Sequence, residues 1–179
     1  IYGDNLELQT IIKVPGLTEK FCGSSRPGHF DGVATVVTKL FNMVQPDAAF
    51  FGLKDYQQFL VIQKLTQDLA LDIKIHGIET HREESGLAMS SRNNYLSKEQ
   101  RQQAANLYSC LKDCAEKIAA GNSEFEQLEK TAKKALQKVS LKPDYFHVCD
   151  ADTLQPPSPV TSHLAILAAA YIGKSRLID

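Results

Sequence analysis

The sequence has no long hydrophobic run and almost no net charge, and each lack excludes a class of function. Its longest apolar stretch, Leu164 to Ile172, has nine residues, far short of the roughly 20 that a bilayer-spanning helix needs. No membrane span is expected. Its 20 basic side chains face 21 acidic ones, a formal net charge of −1. That excludes the global electropositive field of a general nucleic-acid binder and leaves only a local basic patch open. Only four cysteines occur, with no CxxC pair, so a structural zinc site is not expected. Cys110 and Cys114 stand four apart on a predicted helix, Cys22 and Cys149 stand alone, and all four read as packing residues in a reduced, cytoplasmic setting. The motifs GxSxG, HExxH and GxxxxGKS/T are absent, so serine hydrolases, zincins and P-loop enzymes lack their marks. The opening Ile1-Tyr2-Gly3-Asp4-Asn5 has neither the basic flank nor the apolar core of a signal peptide. A chain that opens on Ile is expected to be a piece of something longer.

The 43% hydrophobic and 23% charged residues suit a folded globular chain. Leu8 to Val14 alternates loosely before Pro15-Gly16 and suggests a short strand or edge segment. Val33 to Met43 carries apolar residues at helical spacing, namely Val33, Val36, Val37, Leu40 and Phe41, with Val44 beyond. Ala48-Ala49-Phe50-Phe51 is a short, wholly apolar run and reads as a buried parallel strand. Asp55 heads a second helix with Phe59, Ile62, Leu65 and Leu69 on one face, and Asp72 to Ile78 alternates as a strand. Helix, strand, helix, strand is the rhythm of a doubly wound α/β sheet, of which only the latter part is present.

After His81-Arg82 the character changes. Ser97-Lys98-Glu99-Gln100 is a capping-box pattern opening a long helix through Ala104, Leu107, Leu111, Cys114 and Ile118, ended by Gly121. Ser123-Glu124 opens another helix, with Leu128, Ala132, Ala135 and Val139 facing inward. Strand-like Tyr145 to Cys149, a Pro156-Pro157-Ser158-Pro159 loop, Leu164 to Ile172 and Arg176 to Ile178 follow. The predicted architecture is α/β: a partial Rossmann-like domain over 1–82, then a small α+β domain over 83–179 with helices on a short antiparallel sheet.

Three places could carry chemistry. In a doubly wound sheet, ligands bind at the carboxyl ends of strands, where Phe51-Gly52-Leu53-Lys54-Asp55-Tyr56-Gln57-Gln58 falls. Gly52 allows close backbone approach and Lys54 places a cation beside a helix start. Asp55 can accept from a ribose diol or simply from the first-turn amides, as an ordinary helix cap. The second place is Glu83-Glu84-Ser85-Gly86-Leu87-Ala88-Met89-Ser90-Ser91-Arg92-Asn93. Two hydroxyls and a planar guanidinium suit a phosphate, although the same residues also make a plausible solvated loop. The third is Arg26-Pro27-Gly28-His29-Phe30, whose lone His reads most simply as a surface residue. His76, His147 and His163 have no partner at metal-ligand spacing.

At these residues the chain resembles the pantothenate synthetase (pantoate–β-alanine ligase) family of the nucleotidyltransferase superfamily. The matching stretches are Ser25-Arg26-Pro27-Gly28-His29-Phe30, Lys39-Leu40-Phe41-Asn42, Gln45-Pro46-Asp47, Phe51 to Gln58, and Gly86 to Asn93, with similarity continuing through Arg176-Leu177-Ile178-Asp179. Leu53 stands where that family usually carries Glu, a change that a backbone contact survives. The family's His-x-Gly-His signature does not occur between Ile1 and Asp179.

The resemblance implies an ATP- and Mg²⁺-dependent ligase. Pantoate and ATP give pantoyl adenylate and pyrophosphate, and the amine of β-alanine then displaces AMP. It assigns Lys54, Ser90, Ser91 and Arg92 to the phosphates and to catalysis. Gly52 and Asp55 go to the ribose, with Leu53 joining the ATP site through its backbone, and Gln58 goes to pantoate. Adenine would be held by main chain near His81 and Met89. It also implies a cytoplasmic homodimer, and a piece that is inactive alone because the His-x-Gly-His part is missing. Two other readings stay open: another nucleotidyltransferase, discriminated by preference for CTP over ATP, and a non-catalytic binding or dimerisation piece.

Overall fold

Two rhythms in the sequence become two separate sheets. The computed structural model describes residues 10–179, and the chain divides between Glu79 and Thr80 into two compact units. In the first, a single helical turn, α1 (Cys22–Ser25), precedes α2 (His29–Val44), β1 (Ala48–Gly52), a 3₁₀ turn (Leu53–Asp55), α3 (Tyr56–Asp68) and β2 (Lys74–Ile78). β1 and β2 pair in parallel, with Ala48 opposite Lys74 and Gly52 opposite Ile78. A parallel pair needs a crossover, which α3 supplies.

β1 is parallel as its composition suggests, but it is not buried. Phe50 is 65% exposed and stacks on His76 across the pair, ring centroids 5.1 Å apart. Gly52, His76 and Ile78, which share a face with Phe50, are exposed as well. α2 shows the same effect. Its buried stripe is Phe30, Ala34, Thr38 and Phe41, while Leu40, Met43 and Val44 stay exposed. The expected stripe ending at Val44 is therefore corrected. Thr35 and Thr38 tolerate burial because their hydroxyls donate back to the Asp31 and Ala34 carbonyls, at 2.7 and 2.8 Å.

On α3 the buried face is Gln57, Leu60, Val61, Ile62 and Leu65. Ile62 and Leu65 lie as expected, whereas Leu69, just past the helix end, is 47% exposed. Part of the expected strand at Leu8 to Val14 lies outside the described residues. Thr10 to Val14 forms no strand, and the Ile12 amide is satisfied by the Thr35 hydroxyl at 2.9 Å instead.

The second unit opens with a hairpin-like loop and a 3₁₀ turn (Ser91–Tyr95), then α4 (Lys98–Ala104), α5 (Asn106–Ala119), α6 (Phe125–Lys138), β3 (Lys142–Asp150), β4 (Leu164–Ile172) and β5 (Ser175–Ile178). The capping box is present. Ser97 Oγ accepts from the Gln100 amide at 3.1 Å, and the Gln100 side chain accepts from the Ser97 amide at 3.0 Å. The expected single long helix is two. At the junction the Asn106 carboxamide donates to the Gln103 carbonyl at 2.8 Å, competing with the main-chain ladder.

β3, β4 and β5 form an antiparallel sheet in that order. α6 packs on β3 and α5 on β4. Ala168 and Ala170 let α5 come close, and with Leu136 and Phe146 they are fully buried. Burial of each large side chain contributes roughly 2–3 kcal/mol. Cys22, Cys114 and Cys149 are buried, and no disulfide links any of the four cysteines. No helix among the described residues is long and apolar enough to cross a membrane.

Candidate functional site

The first candidate is built by the end of β1. Gly52 has an ordinary extended backbone (φ −69°, ψ 129°) with open space where a Cβ would stand, so this chain's own backbone does not require glycine there. The Leu53 side chain lies over Gly77 of β2, where a Cβ would come within 2.6 Å of it. Lys54 is largely covered, at 14% side-chain exposure, and its ammonium lies 3.6 Å from the half-exposed Asp55 carboxylate. Asp55 stands at the N-cap of α3 but makes no side-chain cap bond. The ordinary-cap reading is therefore not realised, and this carboxylate faces a cation. Gln58 follows one turn on, half-buried.

The second candidate is the loop in the second unit. The Glu83 amide donates to the Leu87 carbonyl and the Met89 amide to the His81 carbonyl, at 2.9 and 2.8 Å, around an isolated Arg82–Ala88 bridge. Gly86 makes the bend at φ +88°, and any side chain there would strike the Tyr108 ring at 2.9 Å. His81 and Met89 thus face each other through main chain, with the His81 carbonyl already occupied and the Met89 side chain 57% exposed. Ser90 then starts the 3₁₀ turn, its Oγ accepting from the Arg92 amide at 3.3 Å. The Ser91 and Arg92 side chains are exposed. A groove of about 440 Å³ opens here, lined by Glu83, Met89, Ser90, Ser91, Asn93 and Arg101.

Within their own units, then, the fold brings together Gly52, Leu53, Lys54, Asp55 and Gln58 in one turn. It brings together His81, Met89, Ser90, Ser91 and Arg92 in another. Of the alternative reading of Ser90-Ser91-Arg92-Asn93 as a solvated loop, exposure holds for the Ser91 and Arg92 side chains, while Asn93 is buried and the loop before it is pinned from several sides. Arg82 makes a bidentate pair with Asp179, at 2.6 and 2.8 Å, and its guanidinium lies 3.6 Å over the Tyr108 ring. Glu83 accepts from Arg101 and from Asn93, and the Arg101 guanidinium beside it holds its carboxyl below the usual range.

Arg101 and Tyr108 were not singled out from sequence, and Glu83, Asn93 and Gln57, though inside the candidate stretches, were given no role of their own. The Gln57 side chain is buried, donating to the Leu17 and Lys20 carbonyls at 2.7 and 2.8 Å and accepting from the Cys22 amide at 3.1 Å. The signal was available: Gln57 falls on the same stripe as Val61 and Leu65, where an amide needs fixed partners. Arg26 donates to His29 Nε2 at 3.1 Å. Among the described residues no cluster of three or more His, Cys, Asp or Glu side chains is arranged to hold a metal ion.

The full length of the chain, residues 1–179, matches the model of the family described as pantoate-beta-alanine ligase. The pantothenate synthetases of Hahella chejuensis and Idiomarina loihiensis are 53% and 52% identical over 179 residues, all of this chain and 63% of each relative. A pantothenate synthetase structure from Thermus thermophilus superposes with a TM-score of 0.90 at 40% identity, covering 97% of this chain and 63% of that one. A pantoate-beta-alanine ligase structure from Francisella tularensis, complexed with beta-gamma ATP and beta-alanine, gives a TM-score of 0.70 at 31% identity over 96% of this chain and 57% of that one. The chain thus spans a little under two thirds of the relatives it matches. Their correspondence along nearly the whole chain, both loops included, makes this chain a member of the pantoate-beta-alanine ligase family.

Proposed function

We propose that this chain carries the phosphate- and pantoate-binding loops of an ATP-dependent ligase that joins pantoate to β-alanine. The observation that carries the reading is the pinned turn Ser90-Ser91-Arg92 beside an open groove, in a chain matched throughout by the ligase family. A relative's complex with an ATP species and β-alanine supports the same substrates here.

In this reading a pantoate carboxylate oxygen attacks the α-phosphorus of ATP, and the bond from that phosphorus to the leaving pyrophosphate breaks. The neutral amine of β-alanine then attacks the acyl carbon. The bond from that carbon to the AMP oxygen breaks, and the amine gives up its proton. Little of this is covalent work for the protein, so the residues act by position and charge. Lys54 and Arg92 neutralise the charge that grows on pyrophosphate, and the Ser90 and Ser91 hydroxyls donate to phosphate oxygens. Asp55 accepts from the ribose and Gln58 orients pantoate. Gly52 and Leu53 offer main chain to the nucleotide, as His81 and Met89 do to adenine. Among the described residues no acidic cluster is arranged to hold a metal ion of its own; Mg²⁺ would enter with the triphosphate and would add charge neutralisation beside Lys54 and Arg92.

The exposed apolar side chains of the first unit, Met43 and Val44 on α2 and Phe50 and Ile78 on the sheet, support the proposal of a homodimer, checked by light scattering of the full-length protein. Four cysteines with no disulfide between them support a reducing, cytoplasmic location. The 179 residues alone are proposed to be inactive. Omission assays on the full-length protein test the function: pantothenate should form only with ATP, pantoate and β-alanine together. Pyrophosphate release that ignores pantoate refutes the ligase, and CTP preferred over ATP points to a different nucleotidyltransferase.

A further inference from the structure

The turn that carries Ser90, Ser91 and Arg92 is held by a relay of side chains that has no phosphate contact of its own in the proposed mechanism. Asn93, the next residue, is 2% exposed. Its amide nitrogen Nδ2 donates to Glu83 Oε1 and to the Ala88 carbonyl, both at 3.0 Å. Both partners can only accept, which fixes the orientation of the carboxamide. Asn93 Oδ1 is then left buried without a partner. A position that keeps an unsatisfied buried acceptor is one that needs the other end of the group, two donors on a short planar side chain. Asp would present oxygens to two oxygens, and Ser would supply one donor. The Asn93 main-chain amide meanwhile donates to the Ser90 carbonyl at 3.0 Å, closing the turn.

Glu83 is the hub of this relay. Besides Asn93 it accepts a two-pronged contact from Arg101, Nη2 to Oε1 at 2.7 Å and Nε to Oε2 at 2.9 Å. Its own main chain bonds Leu87 and Gly86 at 2.9 and 2.8 Å. One carboxylate therefore ties the loop bend, the last turn of α4 and the Ser90 turn together, and it lines the same groove as Ser90 and Ser91. The paired guanidinium cancels its charge, so it can stand beside an anion-binding turn without repelling the anion. We propose that Glu83 is a positioning residue for ATP: through Asn93 it fixes the Ser90–Arg92 turn, and Arg101 fixes Glu83. This rests on the assignment of that turn to the phosphates.

Steady-state kinetics on the full-length enzyme separates this role from simple support of the fold. Glu83→Ala should raise the KM for ATP about tenfold or more, with the KM for pantoate within about threefold of wild type, because misplacing a positioned group is costly without touching the other substrate's contacts. Glu83→Gln, which keeps an acceptor for Asn93, should recover most of the ATP affinity. Asn93→Asp should not. Should Glu83→Ala fail to fold, Arg101→Ala breaks the relay at its half-exposed outer end and should still raise the KM for ATP selectively. An unchanged KM for ATP in Glu83→Ala, or in Arg101→Ala where the former does not fold, overturns the proposal. So does a loss shared equally by both substrates that tracks the folded fraction. Wild-type enzyme that does not consume ATP with pantoate would instead overturn the function on which the proposal rests.

Discussion

Arg82 and Asp179, 97 positions apart, form a two-pronged ion pair at 2.6 and 2.8 Å that fastens the start of the second unit's loop to the far end of its sheet. Asp179 is only 7% exposed at its side chain, and the Arg82 guanidinium is further engaged by the Gly86 carbonyl at 3.2 Å and the Tyr108 ring. Removing one partner of such a pair strands the other where water reaches it poorly. Asp179→Ala should therefore destabilise the protein by about 3 kcal/mol in urea unfolding. A change below about 0.5 kcal/mol would mean that the pair behaves as an ordinary surface contact.

Glu83 gives the second unit an acid-sensitive point. Arg101 above all, and Asn93 after it, hold its carboxyl below the ordinary value of 4.5. The folded state therefore binds fewer protons than the unfolded chain as pH approaches that range. Its stabilisation is complete above about pH 4.5 and lost as pH falls through the depressed value. The urea midpoint of the wild type should fall more steeply between about pH 6 and pH 3 than that of Glu83→Gln. Equal slopes would contradict the assignment.

What the sequence made legible was local. The Ser97–Gln100 cap, the β1–α3–β2 rhythm and the cluster Gly52 to Gln58 depend on neighbours a few residues apart, and each is found where its pattern lies. Phe50 misled because an apolar strand reads as buried whether or not its covering neighbours are present. The interruption before Asn106 was hidden because the Ala105 backbone stays in the helical region (φ −60°, ψ −22°), so the apolar spacing runs through it unchanged. Glu83, Asn93 and Arg101 were invisible as a relay because their partners lie 10 and 18 residues apart on different elements. Nothing in spacing alone distinguishes such a set from a solvated face.

Cys114 should be chemically quiet. Burial pushes the Cys114 thiol up to about 11, with Asp113 adding to the effect, and burial raises Cys110 too. At about pH 8 almost no thiolate is present at Cys114, and the thiolate is the nucleophile. Native protein treated with a disulfide reagent should leave Cys114 unlabelled until it unfolds, as peptide mapping would show. Rapid native labelling at Cys114 would contradict its placement.

Lys54→Ala and Arg92→Ala probe the two loops separately. Loss of one oriented donor to a developing charge costs roughly 10²–10³ in rate, about 3–4 kcal/mol. Each variant of the full-length enzyme should lose that much in kcat/KM for ATP while keeping wild-type thermal stability. Activity within about threefold of wild type removes the residue from the mechanism.

The most direct measurement follows an oxygen atom. Pantoate labelled with ¹⁸O in its carboxylate, turned over by the full-length enzyme with ATP and β-alanine, should deliver one labelled oxygen to each AMP, because the acyl carbon parts from the oxygen that attacked phosphorus. Unlabelled AMP formed alongside pantothenate would contradict the adenylate route, and with it the roles given to Lys54, Ser90, Ser91 and Arg92.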